Sequence, residues 1–303
     1  MTIQFNCPNC NALIAFDKKH CGKRARCLTC GQRLIIPAKD NERPQKIEPE
    51  PEEKSQPIPG FYRAAFVESW RLFINPDNAT GLVFVVAAVC FKFFVGHTDY
   101  SFTMGAVRVQ APTGLIVIFA AWGCLFWYYM EIIYSTAFHE EVLPEVYMGG
   151  FFGFIWNIVK SLYMFAISLV IVELPCIIFL AISANMGIKV PVAAHILAIA
   201  GLFAFPMAIL AFAVGRDITI VARPDHILKP VVKAFWPYLV VVGLFVLTWE
   251  LQLHAVEYGE LLSSSKVVIG LHLLVNIAIQ ALALISMRSI GLFHRHYNCH
   301  FPW

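Results

Sequence analysis

The sequence predicts an all-α integral membrane bundle of about six transmembrane helices, preceded by a small N-terminal β module and a disordered linker. Three observations predict it. Apolar residues make up 58% of the 303-residue chain and charged residues only 14%, against about 25% charged in an ordinary soluble domain. The shortage of charge is concentrated after residue 78, where long apolar runs follow one another and lift the mean hydropathy of the whole chain to +0.66. The first 60 residues are polar and hold two closely spaced cysteine pairs. The net charge of +3 is too small to argue for an anionic partner at the level of the whole chain.

Residues 1–37 form the β module. Cys7-Pro8-Asn9-Cys10 is followed, sixteen residues after Cys10, by Cys27-Leu28-Thr29-Cys30. Paired Cys-x-x-Cys turns at this separation are the pattern of one structural zinc ion held by Cys7, Cys10, Cys27 and Cys30, because zinc takes four soft ligands in a tetrahedron. Four thiolates close the coordination sphere, which argues against a catalytic metal. A redox dithiol normally uses one such pair at a helix start. Asn11–Phe16 and Arg33–Pro37 read as short strands of a zinc ribbon. A module this small lacks a self-sufficient core, so metal binding is expected to supply much of its folding energy. Cys21 is a fifth thiol, read as free or as an exchangeable ligand. The scatter of the nine cysteines does not resemble an extracellular disulfide framework.

The ribbon is basic, with Lys18, Lys19, Lys23, Arg24, Arg26 and Arg33. Four readings follow: a solvated surface, a cytoplasmic protein partner, anionic lipid, or nucleic acid. No aromatic residue interleaves the basic run, which disfavours single-strand binding. Residues 38–60 are a Pro/Glu-rich linker (Glu48-Pro49-Glu50-Pro51-Glu52-Glu53) with almost nothing to bury. Residues 61–76 read as an interfacial amphipathic helix ended by Asn75-Pro76, with Phe61, Ala65, Phe66, Trp70 and Phe73 at roughly helical spacing.

Residues 77–303 hold six spans near the ~20 residues that a bilayer core requires. They are Thr80–Gly96, Thr113–Ser135, Ile158–Ala184, Val190–Val214, Ala234–Leu253 and Val267–Leu292. Lys92 in the first can snorkel toward an interface. Tyr100, Phe102 and Met104, with Val107 and Val109 around Gly105, suggest a hairpin between the first two spans. Trp236-Pro237-Tyr238 leaves the start of the fifth open to a surface helix. With the N-terminus inside, nine Lys and Arg fall on the cytoplasmic side and four outside, which favours both termini in the cytoplasm. The absence of an apolar signal segment in the first 20 residues agrees.

Inside the spans, Glu173 lies two residues before Pro175, and a carboxylate at that depth is costly unless it faces the bundle interior or is protonated. His195 and His272 are candidate partners. Asn276 and Gln280 share the His272 face at i+4 and i+8. These five residues make either an intramembrane polar site or a set of interhelical hydrogen bonds that hold the bundle together. The tail His294-Arg295-His296-Tyr297-Asn298-Cys299-His300 has metal-binding composition but irregular spacing, and reads as a basic juxtamembrane segment. His139-Glu140-Glu141 lacks the second histidine of a zincin helix. No phosphate-binding glycine loop, dinucleotide motif or hydrolase elbow occurs.

Together, the head (Phe5 to Cys10, then Gly22 to Gly31) and three membrane stretches resemble a family of bacterial multispan membrane proteins with an N-terminal four-cysteine zinc ribbon. The membrane stretches are Ser135-Thr136-Ala137 with Glu140-Glu141 and Leu143-Pro144; Pro206 to Leu210 with Ile227 to Pro230 and Tyr238; and Gly291 to Arg295. The resemblance implies the architecture and a place in the bacterial inner membrane, but no activity. The residues alone favour a non-enzymatic anchor or scaffold, then a transporter or channel using the polar notch, and last a membrane-embedded enzyme.

Overall fold

A computed structural model describes residues 2–7, 12–17, 21, 24–26, 33–37, 56–98, 100–104, 107–111, 113–138, 141–146, 150–186, 191–215 and 223–301. The chain divides into two units, Met1–Gln56 and Pro57–Trp303.

The first unit is two antiparallel hairpins. Strand β1 (Thr2–Asn6) pairs with β2 (Leu13–Asp17), and β3 (Arg24–Arg26) pairs with β4 (Arg33–Ile35). Each Cys-x-x-Cys sequence lies in the connection of one hairpin. The alternation of side chains along the strands puts Phe5, Leu34 and Ile36 into one small core, with Ile14 and Cys21 packed against it. Cys21 thus lines this core.

The second unit is helical. Six of its helices are long and apolar enough to cross a bilayer, so the chain is a multi-pass membrane protein. Helix α1 (Phe61–Phe66) and a 3-10 segment (Glu68–Phe73) replace the single interfacial helix expected over 61–76. Ser69 explains part of the break: its hydroxyl donates to the Ala64 carbonyl at 3.0 Å, competing with helix continuation. Phe61, Ala64, Ala65 and Leu72 turn inward, while Tyr62, Phe66, Val67, Trp70 and Ile74 stay exposed. The amphipathic pattern is present, but over two short pieces.

A 3-10 turn (Pro76–Asn78), capped by the Asn75 side chain, leads into α2 (Ala79–Val95). A hairpin follows, β5 (Tyr100–Met104) with β6 (Val107–Ala111), as expected from the sequence. Then come α3 (Thr113–Ala137), α4 (Phe151–Asn185) and α5 (Pro191–Gly215). Helix α4 begins two turns before the expected Ile158. Its 35 residues span about 52 Å at 1.5 Å per residue, well beyond a bilayer core. Helix α6 (Pro224–Lys233) is a short amphipathic element not anticipated in the sequence; Pro224 at its first position and the Asp225–Lys229 ion pair at 3.5 Å support it. Helices α7 (Phe235–Leu253) and α8 (Lys266–Tyr297) complete the unit.

Helix α8 is the hub, packing on α1, α2, α3, α5 and α7. Gly291 permits one of these approaches: a Cβ there would lie 2.7 Å from the Ile133 carbonyl oxygen and 2.7 Å from Thr136 Cβ. Pro206 inside α5 removes an N–H from the helical ladder. Beside it, the Tyr238 hydroxyl of α7 donates to the Phe203 carbonyl at 2.6 Å.

Candidate functional site

Three groups of residues carry chemistry. In the first unit, Cys7 is buried, and its N–H donates to the Ala12 carbonyl at 2.9 Å. Cys10, Cys27 and Cys30 lie outside the described residues. Among the described residues, no group of three His, Cys, Asp or Glu side chains is arranged to hold a metal ion. The fit to zinc rests on the donors themselves, four cysteines in two Cys-x-x-Cys pairs, and on the burial of Cys7.

The second group is intramembrane, and the structure divides it. Asn276 and Gln280 are both buried on α8. The Asn276 amide donates to the His272 carbonyl at 2.9 Å and to the Val256 carbonyl, just beyond α7, at 3.1 Å. Gln280 Nε2 donates to Gln252 Oε1 of α7 at 2.6 Å, and the Tyr129 hydroxyl of α3 donates to Gln280 Oε1. One side chain thus ties three helices. His272 enters this arrangement through its backbone carbonyl. Tyr129 and Gln252 were not singled out in the sequence, since neither has a helical partner at i±4 to mark it.

Glu173 stands apart. It is on α4 against α5, where a Cβ on Gly201 would lie 2.5 Å from Glu173 Oε1 and 2.9 Å from the Val172 carbonyl oxygen. That carboxylate oxygen is buried and has no hydrogen-bond partner among the described residues. His195 does not approach it: its ring Nδ1 lies 2.7 Å from the Pro191 carbonyl of its own helix, and the residue is exposed. On the side of the bundle where α2 ends, Lys92 Nζ lies 3.6 Å from Glu257 and 4.8 Å from the centre of the Trp122 ring. Its charge is met by the Glu257 carboxylate and the Trp122 ring face.

The third group was not assembled from the sequence. At the end of the bundle where α2 begins and α8 ends, a cavity of about 800 Å³ is lined by Arg63, Arg71, Arg288 and Arg295, with Glu68 and Glu141. Arg288, Leu292, Arg295 and His296 fall on one face of α8 at i, i+4, i+7 and i+8. The opposite wall is α1 and the 3-10 segment, which α8 holds in place. Ile58 N–H donates to the His296 carbonyl at 2.8 Å, and His296 Nδ1 lies 2.8 Å from the Ile58 carbonyl. Phe61 meets the rings of Phe293, His296 and Tyr297 edge-on. Asn78 fixes the floor: its amide donates to the Leu72 carbonyl at 2.9 Å, and its Oδ1 accepts from the Leu143 N–H at 2.8 Å. Asn78 is 1% exposed.

The cavity's charges are unequally answered. Arg63 Nε lies 3.4 Å from Glu68, and Arg295 Nη2 lies 4.0 Å from the largely exposed Glu141 carboxylate. Arg71 and Arg288 pair with no carboxylate among the described residues. Arg288 is 7% exposed; its Nη1 donates to the Glu141 backbone carbonyl at 3.3 Å, and its Nε has no partner among the described residues. The signal available in the sequence was an arginine four residues before the end of the last apolar run, with a second one seven residues on.

No protein-family model, curated protein or solved structure matches the chain.

Proposed function

We propose that the chain is a non-enzymatic membrane anchor that presents a four-cysteine zinc ribbon as an interaction module at the cytoplasmic face of a bacterial inner membrane. One observation carries the reading: a small double-hairpin unit with its own core is joined, through a Pro/Glu-rich stretch, to a separate helical unit whose buried Asn276 and Gln280 amides are bonded to neighbouring protein groups. A module at the end of such a stretch meets a partner at high effective concentration. The excess of Lys and Arg supports both termini being cytoplasmic, a compartment that keeps thiolates reduced. A protein partner of the ribbon is favoured; anionic lipid is second and nucleic acid third. The resemblance to the ribbon-bearing bacterial multispan family supports the same architecture.

The test is a pull-down with the full chain against a chain lacking residues 1–56, a cut that spares Ile58 and its bonds to α8. The reading requires partners that disappear with the ribbon, and one zinc per chain that is lost in Cys7→Ser/Cys27→Ser. Partners retained by the shortened chain would refute it.

A second reading, transport of a cation or proton, is favoured by the unpartnered, buried oxygen of Glu173. It requires flux in proteoliposomes that Glu173→Gln abolishes.

A further inference from the structure

We propose that the arginine-lined cavity is a binding site for a phosphate group, with Arg288 as the buried donor and Arg71 and Arg295 as the arms that close on it. Four guanidinium groups face one cavity with two carboxylates, so two positive charges remain unmatched there. Glu141 and Glu68 answer part of this charge, and the excess favours a further anion in the cavity. Arg288 makes the demand specific. A guanidinium carries five N–H donors and no acceptor. Buried on all but 7% of its surface, Arg288 uses one donor on a carbonyl and leaves Nε without a partner among the described residues. Leaving such a donor unsatisfied costs more than an ordinary hydrogen bond returns. The planar fork of arginine matches two oxygens of a phosphate, which a lysine would not.

The surroundings suit a ligand rather than a collapsed ion-pair network. Both existing carboxylate contacts are long, at 3.4 and 4.0 Å, and the Glu141 side chain is 77% exposed, so Arg295 can exchange Glu141 for a better acceptor. The walls are pinned independently of any ligand by Asn78 and by the Ile58–His296 bonds, so the site is preorganised. Val67, Trp70 and Ile74 lie exposed on the segment that forms one wall, and an exposed apolar set with a tryptophan suits a neighbouring lipid surface. The phosphate has two possible sources, a phospholipid headgroup and a soluble phosphate compound.

The experiment uses the full chain in neutral detergent, with its melting temperature followed by tryptophan fluorescence. The probes are dihexanoyl phosphatidylglycerol, dihexanoyl phosphatidylcholine and inorganic phosphate. A saturable rise with phosphatidylglycerol alone supports the site and assigns a lipid headgroup; a rise with inorganic phosphate as well supports it and assigns a soluble ligand. Arg71→Gln/Arg295→Gln should weaken the apparent affinity about tenfold or more, as expected when charge-assisted bonds are lost. Arg288→Gln should do the same. Lys229→Gln, which is outside the cavity, should match the wild type. If Arg288→Gln fails to fold, the double variant of the two more accessible arginines decides. No saturable response to phosphatidylglycerol or phosphate, an equal response to phosphatidylcholine, or an unchanged affinity in the double variant would each overturn the proposal.

Discussion

Helix α8 carries two polar stations eight residues apart, and the fold answers them differently. Around Gln280, the amide nitrogen, the amide oxygen, the Tyr129 hydroxyl and the Gln252 oxygen are spent on one another. Around Arg288, one donor reaches a backbone carbonyl, another reaches nothing among the described residues, and the residue lines a cavity of about 800 Å³. The first station has the form of a structural tie and the second of a receptor. The comparison teaches that buried polarity alone does not mark a functional site in a membrane bundle; unspent hydrogen-bonding capacity beside open volume does. Glu173 falls between the two, with an unspent oxygen but with Gly201 packed against it.

Four substitutions break or sharpen this contrast. The largest effect is expected at Gly291, which lets α8 lie against α3 and so sets both stations. A side chain there meets rigid backbone and a Cβ atom at 2.7 Å, so Gly291→Leu should cost about 3 kcal/mol, the upper end of ordinary overpacking. A thermal melt in detergent would show it. An unchanged melt would mean that α8 is not held where both stations need it.

Next is Gln280→Leu, which strands the Tyr129 hydroxyl and the Gln252 amide oxygen. Interhelical hydrogen bonds in membranes average about 0.6 kcal/mol each, so the loss of two should cost roughly 1–2 kcal/mol in a melt while leaving any anion response intact. A loss of anion affinity in this variant would show that the stations are coupled rather than separate.

Asn78→Ala removes both bonds that pin the cavity floor. About 1–2 kcal/mol of stability should go with them. Anion affinity should also fall, because the loop bearing Glu141 is released at Leu143. Stability lost with no change in affinity would place the floor outside the site.

The smallest effect is expected at Glu173→Gln. It keeps the shape of a side chain whose buried oxygen makes no hydrogen bond among the described residues, so the melt should move by less than about 0.5 kcal/mol. A large destabilisation would reveal a partner for Glu173 and move it into the class of Gln280.

Much of the helical unit was legible because apolar runs of bilayer length permit few alternatives. The six spans were found in order. The differences were at their ends, as at α4, where the apolar Phe151–Trp156, left out of the expected span, belong to the same helix. The hairpin after α2 was visible from alternating Tyr100, Phe102 and Met104. Helix α6 was missed because ten residues with two prolines make a faint pattern. The face shared by His272, Asn276 and Gln280 was visible as periodicity, but its partners Tyr129 and Gln252 were not, because hydrogen bonds between helices leave no spacing within either one. Glu173 and His195 looked like partners by depth, yet His195 turns back onto Pro191.

Composition and periodicity by themselves determined a polytopic membrane protein with a cysteine-paired β module in front, since hydrophobic length and cysteine spacing are properties of contiguous residues. Which side chains share a cavity was decided only by the tertiary structure. Arg71 precedes the first span and Arg288 lies near the end of the last, and no local rule relates them. They line one cavity because Gly291 lets α8 approach α3 and Phe61 packs α1 onto the end of α8. Long-range packing is what turns scattered arginines into an electrostatic site.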